Sequence, residues 1–510
     1  MLFQGYLLSL LIWVPILGAI VVLAMGQNDS RVCLIRTVAL IFSILTLLLC
    51  WPLLQGFNPN DWHLQFVENR VWIPEWHLAY SLGVDGISVL FILLTCFTNL
   101  IIILAACRNP KVKLSQFMAI FLMATGIMNG VFVSTEAVLF YFFWEASMIP
   151  MYLGIGIWGG KDRAYAALKF FLFTFGGSIF MLIAFIYLET KTGNFLISSF
   201  QNLSLSKAEE DWIFLAFLAA FAVKIPMWPV HTWLPNAHAE APSGGSVILA
   251  ALMLKMGAYG FIRFSLPITP NVSNAMDWLI IILALIAIVY VGIASIAQKD
   301  LKQLIAYSSI SHMGIVTLGI FMVFMIIGQT HNRLEAMVSI QGAVFQMIAH
   351  AFSSGALFIG VGFIIDRYKS RLIKDYQGLV HAMPIFAAFY MLFAMANVGL
   401  PGTTGFVGEF LVLLSAFKAN FWIAFVAGLT LIISPAYTLW MYKRVLFGEA
   451  KSPLMSTPND LSKLELLIFI LLAIPVIFLG VYPEPVFHLS NAATLHFIHQ
   501  VMDKISSGTY

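Results

Sequence analysis

Apolar runs of eighteen residues or more recur from one end of the chain to the other, separated by short polar stretches. A helix of about 20 apolar residues crosses the roughly 30 Å hydrocarbon core of a bilayer. The runs predict about fourteen spans, at 4–25, 34–54, 83–106, 114–134, 136–158, 166–190, 211–229, 242–264, 276–298, 303–327, 337–365, 384–418, 421–443 and 464–483. The window 384–418 is too long for one simple helix, and its centre reads Gly399-Leu-Pro-Gly-Thr-Thr-Gly405. The window 211–229 is interrupted at Lys224-Ile-Pro-Met-Trp-Pro229, where Pro226 lacks an amide donor and would crowd the carbonyl of Ala222. Both are expected to be broken helices, and they lie five spans apart. An odd offset puts equivalent elements in opposite orientations, so spans 4–8 and 9–13 predict an inverted repeat of five helices. The expected organisation is 1–110 for the first three helices, 111–265 and 275–447 for the two repeats, and 448–510 for span 14 and a tail. The fold class is an all-α polytopic membrane protein. The longest polar stretches, 58–75 and 196–211, are only loop-sized, which leaves no soluble domain.

Composition agrees: of the 510 residues 61% are hydrophobic and 10% charged, against about 25% charged in globular chains. The net charge of +3 says little, because what matters is where the charges lie. With the N-terminus non-cytoplasmic and the loops alternating, the cytoplasmic face receives the loops of Arg31, Arg108, Lys111, Lys161, Lys299, Lys302, Arg367, Arg371, Lys443 and Lys451. The opposite face receives Arg70, Lys191, Lys207, Arg263, Arg333, Lys418 and Lys504, fewer than half as many basic residues in total. The positive-inside rule then puts both termini away from the cytoplasm. The first apolar segment has no basic leader and no small-residue cleavage site, so a retained span is expected. Cys33, Cys50, Cys96 and Cys107 have no paired spacing and read as apolar packing residues. Gly154-Ile-Gly-Ile-Trp-Gly159 matches GxGxxG only in letters, since it ends a span and opens no βαβ unit.

The candidate chemistry is carried by ionisable groups deep in apolar sequence. Lys224 and Lys255 sit within predicted spans, where an ammonium costs about 2.5–3.5 kcal/mol on insertion scales and marks a functional site by default. Snorkelling to an interface is the alternative for Lys224. Glu145, in Tyr141-Phe-Phe-Trp-Glu145, is expected to pair with Lys224. A pair that can separate is a proton switch, and a fixed salt bridge is the alternative. His350 lies beside Ser353 and Ser354, and an imidazole can pass a proton between its two nitrogens. Glu409 follows the second break and is expected in the first turn of the restarted helix, as a carrier or as a cap. His231, His238 and His312 are weaker relay candidates, each open to a packing role.

These residues stand in stretches that resemble the antiporter-like subunits of proton-pumping respiratory complex I. The matching stretches are Phe142-Phe-Trp-Glu145, Phe221-Ala-Val-Lys-Ile-Pro226, His231-Thr-Trp-Leu-Pro-Asn-Ala-His-Ala-Glu-Ala-Pro242, Ala306-Tyr-Ser-Ser-Ile-Ser-His-Met-Gly314 and Gly399 to Glu409. The resemblance spans nearly the whole chain. It implies fourteen helices, a coupled pair Glu145 and Lys224, a central relay of Lys255 and His350, and Glu409 as terminal carrier, where sister subunits carry lysine. Asn236 stands where the family commonly has aspartate. The implied activity is proton translocation as a subunit of NADH:quinone oxidoreductase in a bacterial inner membrane. NADH, FMN, iron–sulfur clusters and quinone would be held by partner subunits, with no cofactor and no metal in this chain. Its partners would be the other membrane subunits, notably the antiporter-like subunits L and N, with the lipid bilayer and protons but no nucleic acid. A long lateral helix after span 14, as in subunit L, is not expected. An Mrp-type cation/proton antiporter subunit and the membrane subunit of a hydrogenase-type complex are the alternatives.

Overall fold

The computed structural model describes residues 4–26, 29–108, 113–449 and 460–507. Lys111 and Lys451, counted above on the basic face, lie outside them. Twelve helices among the described residues are long and apolar enough to cross a membrane. They are span 1 (Leu7–Ala24), span 2 (Val32–Gly56), span 3 (Gly86–Ala106), span 4 (Leu114–Val133), span 5 (Ala137–Trp158) and span 6 (Arg163–Thr192). The series continues with span 8 (Ser243–Ile268), span 9 (Asp277–Ile296), span 10 (Leu301–Thr330), span 11 (Arg333–Tyr368), span 13 (Phe421–Leu446) and span 14 (Lys463–Val481). The two broken helices complete the fourteen: span 7 is Lys207–Lys224 followed by Trp233–Glu240, and span 12 is Pro384–Val398 followed by Thr404–Ala419. Each five-helix set therefore carries its break in the fourth position.

The helices differ sharply in what surrounds them. The apolar window of span 8 is 100% buried, that of span 11 94% and that of span 10 89%, against 22% for span 2 and 28% for span 13. A helix that is hydrophobic all round belongs in the interior, and these three form the axis of the molecule. Leu17, Leu172, Ile183, Trp422 and Ile432 point outward from the peripheral spans, as lipid-facing side chains do.

Both breaks keep their backbone satisfied. Ala222, whose carbonyl Pro226 deprives of its usual donor, accepts from the Met227 amide at 2.7 Å, and the Trp233 indole donates to the Val223 carbonyl at 2.9 Å. The freed carbonyls are thus served by the turn itself. In span 12, Gly399 adopts φ +83° and ends the first half-helix. A Cβ on Gly405 would lie 1.9 Å from the Ala396 carbonyl oxygen, so the two half-helices meet only because that residue is glycine.

Three features depart from the expected layout. The stretch 58–75, read as a loop, contains strand β1 (Gln65–Ile73), which pairs antiparallel with β2 (Leu78–Val84). Phe66, Val67, Val71, Trp72 and Ile73 are the strand-forming residues that the polar average concealed. Glu68 on β1 accepts from the Leu8 amide at 2.8 Å and the Ser9 amide at 3.2 Å, filling donors left open at the start of span 1. Second, the C-terminal tail is a 24-residue helix, Glu484–Ser507. It packs on spans 3 and 11, and Lys504 donates to the carbonyls of Leu203 (3.0 Å) and Pro267 (3.1 Å). Third, spans 8 and 9 contain π-helical turns, at Leu249–Met253, Phe261–Ser265 and Ala287–Val291.

Candidate functional site

The three enclosed helices each contribute one ionisable side chain to a single row. Lys255 (span 8) stands 2.7 Å from His350 Nδ1 (span 11). The ring centres of His350 and His312 (span 10) are 5.7 Å apart, and His312 Nδ1 lies 2.8 Å from Glu409 Oε1 on span 12. All four side chains are buried. Lys255 also donates to the Ala250 carbonyl at 2.5 Å. That carbonyl belongs to the first π-turn, where the wider winding loosens the ordinary helical pairing, so a sequence irregularity supplies the acceptor a buried ammonium needs. No carboxylate is among the polar partners of Lys255.

Further residues hold this row in place, of which Tyr437 and Gln346 were not singled out from the sequence. Tyr437 OH lies 3.3 Å from His312 Nε2 and donates to Ser434 Oγ at 3.0 Å. Gln346 donates to Glu409 Oε1 at 3.2 Å, and Ser354 Oγ is 3.4 Å from His350 Nδ1. A tyrosine beside Ser434 and Pro435 in an otherwise apolar span was the available signal for the first of these. Glu409 is the sixth residue of its half-helix, in the second turn and not the first. The helix dipole acts mainly within the first turn, so the partner that matters is His312.

Glu145 and Lys224 form a second group. Span 5 breaks at Ser147, between helices ending at Ala146 and starting at Met148. Ser147 Oγ accepts from Lys224 at 3.5 Å, and the Lys224 ammonium lies 4.9 Å from the centre of the Trp144 ring. Glu145 is half-buried beside Tyr141 and Ser178, within electrostatic range of Lys224. The two are neighbours without a contact ion pair within 4.0 Å, which corrects the expected close pair. The Lys224 ammonium meets the Ser147 hydroxyl instead, while Glu145 faces Tyr141 and Ser178.

His238 is fully buried and stacked on Phe358, ring centres 4.6 Å apart. It lies within electrostatic range of Lys255, Lys302 and His350. His231 sits in the turn of the first break, near Lys169. Asn236 accepts from Lys169 Nζ at 3.0 Å, a role its neutral amide oxygen fills without a charge. Several buried polar atoms of the candidate residues have no protein partner: Glu145 Oε1, His231 Nδ1, both ring nitrogens of His238, His350 Nε2 and Glu409 Oε2. Buried polar groups of this kind are normally satisfied by internal water.

At one end of the bundle Arg371 bridges Glu240 (2.8 Å) and Asp300 (2.7 Å), while Lys302 donates to the Ala241 carbonyl at 2.6 Å. Burial pushes the Asp300 carboxyl up from its ordinary value, and the Arg371 charge opposes the shift. No group of three or more His, Cys, Asp or Glu able to hold a metal ion occurs among the described residues.

Comparison with known proteins adds four findings. A family model described as NADH:quinone oxidoreductase/Mrp antiporter, TM, matches residues 134–434. NADH-quinone oxidoreductase subunit M of Rhodobacter capsulatus is 45% identical over 507 residues, covering 96% of each chain. Among solved structures, a chain of respiratory complex I from Thermus thermophilus superimposes with a TM-score of 0.86 at 29% identity, over 97% of this chain and 99% of that one. A chain of the Mrp complex from Dietzia reaches a TM-score of 0.84 at 19% identity, over 98% of this chain and 100% of that one, a likeness of fold alone.

Proposed function

This chain belongs to the NADH:quinone oxidoreductase/Mrp antiporter transmembrane family, and from that membership we propose that its row Lys255–His350–His312–Glu409 carries protons along the membrane plane. The chain is a proton-translocating membrane subunit of NADH:quinone oxidoreductase, one part of a larger translocase. Within the family it is 45% identical to a subunit M. The observation that carries the proposal is the placement of Lys255, His312 and His350 on the three most enclosed helices, with short contacts at both ends of the row. Each group can exist with or without a proton, and the row alternates donors and acceptors. The ring centres of the two imidazoles are 5.7 Å apart, and the unpartnered His350 Nε2 is a suitable ligand for an internal water beside them.

In this reading Glu145 and Lys224 bias the row electrostatically from the first repeat, and His231 and His238 connect them to Lys255 through water. Redox energy arrives from partner subunits that hold NADH, FMN, iron–sulfur clusters and quinone; subunits L and N are the expected neighbours. An Mrp-type antiporter reading shares the family model and has a 19% likeness of fold behind it, against 45% identity to a subunit M.

Lys224→Arg keeps a charge but cannot release a proton near neutral pH. The variant is expected to assemble and to pump protons in proteoliposomes at about a hundredth of the normal rate, the scale on which a lost proton-transfer group is felt. Glu145→Gln and Lys224→Ala should each impair pumping, and the double variant should be little worse than either. Full pumping by the arginine variant would make Lys224 a fixed charge.

The orientation proposed is a multi-pass chain of a bacterial inner membrane with both termini non-cytoplasmic. It is supported by the basic-residue count and by which loops meet. Arg108 pairs with Asp366 and Glu465, and Arg371 with Glu240 and Asp300, all from loops or helix ends assigned to the basic face. Arg333–Asp503 and Lys418–Glu335 join those assigned to the other. Single cysteines at Lys161 and, beside Ser115, at the exposed Lys113 should be labelled by an impermeant reagent from the cytoplasm, and cysteines within 196–211 only from the opposite side. Labelling of 196–211 from the cytoplasm would reverse the assignment.

A further inference from the structure

A cavity of about 760 Å³ opens on the face that carries the β-hairpin, past the exposed Val67. At about 30 Å³ per water it has room for on the order of twenty molecules. The hairpin and the C-terminal helix roof it, with Trp62 stacked on His496 at 3.6 Å. Its polar lining includes Asp85, Ser88, Thr135, Gln201, Tyr259 and Arg263. Tyr259 is the sensitive point, because it follows Lys255 by four residues on the same helix. One helical turn, about 6 Å of rise, therefore separates a hydratable vestibule from the buried lysine.

That turn is closed. Tyr259 is buried, with Phe91 and Phe132 against it edge-on at 6.0 and 5.3 Å. Its hydroxyl donates to the Phe132 carbonyl at 3.1 Å and lies 2.9 Å from Ser88 Oγ. The Arg263 guanidinium lies over the Tyr259 ring, 5.0 Å from its centre, and is paired with Asp85. Asp85 is itself fixed as the N-cap of span 3, accepting from the amides of Ile87 and Ser88. On the far side, Lys255 points away from this plug, toward Ala250 and His350.

We propose that the cavity is an aqueous vestibule and that Tyr259, held by the Asp85–Arg263 pair and flanked by Phe91 and Phe132, is the seal that keeps it from short-circuiting Lys255. The ring excludes water; Asp85 and Arg263 are positioning residues that hold the ring in place. The proposal rests on Lys255 carrying protons. Pumping by Lys255 variants tests that premise alone, whereas passive leak tests the seal.

The test uses the whole complex in proteoliposomes. In the absence of NADH, an imposed pH gradient should collapse several-fold faster with Tyr259→Ala or Arg263→Gln than in the unaltered complex. NADH:quinone turnover should persist, so the ratio of protons pumped to NADH oxidised falls. Tyr259→Phe keeps the ring and should be as tight as the unaltered protein. Equal leak rates for Tyr259→Ala, Arg263→Gln and the unaltered complex would overturn the seal, and so would a leak in Tyr259→Phe equal to that of Tyr259→Ala. Should Tyr259→Ala and Arg263→Gln fail to assemble, Thr135→Cys decides: an impermeant maleimide added on the hairpin face should label it, and no labelling there would overturn the vestibule.

Discussion

Replacing Lys255 with methionine should abolish proton pumping while leaving the complex as stable as before, or more stable. Methionine has nearly the length of lysine and no charge. A lone ammonium at bilayer depth costs about 2.5–3.5 kcal/mol on insertion scales, and exchanging buried charge for apolar volume is commonly neutral or stabilising by about 1–4 kcal/mol. Lys255 has a carbonyl and an imidazole as polar partners and no carboxylate, so its removal strands no opposite charge. His350 would keep only the long 3.4 Å contact of its Nδ1 with Ser354. The proton row then loses its first member, and pumping should fall by about a hundredfold or more. Thermal unfolding and NADH-driven acidification of proteoliposomes, at matched subunit content, check both halves of this expectation. A methionine variant that pumps normally would remove Lys255 from the path.

Glu409→Gln should be as damaging at the other end of the row. The amide preserves shape and can still meet His312 Nδ1 and Gln346, so packing and assembly should hold. It cannot bind and release a proton, and NADH-driven pumping should be lost while uncoupled turnover survives. Glu409→Asp keeps the acid but withdraws it by one methylene from a 2.8 Å contact. It should retain a substantial share of the pumping rate. If the glutamine variant pumps normally, Glu409 is a structural partner of His312 and the outlet lies elsewhere.

Most of the architecture was legible in the chain because bilayer physics is severe. Long apolar runs must be helices, and Pro226 and Gly399 must break them, so span number and both breaks could be read directly. The same severity exposed Lys224, Lys255, His350 and Glu409, whose burial in apolar sequence needed a purpose. What could not be read depends on relations across the fold. That His312 is the partner of Glu409 requires spans 10 and 12 to meet, which no local pattern announces. The separation of Glu145 from Lys224, with Ser147 meeting the lysine instead, depends on how spans 5 and 7 pack, which no periodicity argument reaches. The hairpin was concealed by averaging its strand-forming residues into one polar stretch, and the C-terminal helix by its mixed composition. Arg263, expected at the end of span 8 among the charges of the opposite face, is tied to Asp85, and the span runs on past it to Ile268.

The central claim is that protons pass from Lys255 and His350 through His312 to Glu409, and His312 is the link on which it turns. His312→Gln retains a side chain able to hydrogen-bond Glu409 and Tyr437, but it cannot take up and hand on a proton as imidazole does. The decisive measurement is the number of protons pumped per NADH oxidised in proteoliposomes containing the His312→Gln complex. A continuous row predicts a ratio as low as that of Glu409→Gln, with no further loss when the two substitutions are combined. A normal ratio would contradict it.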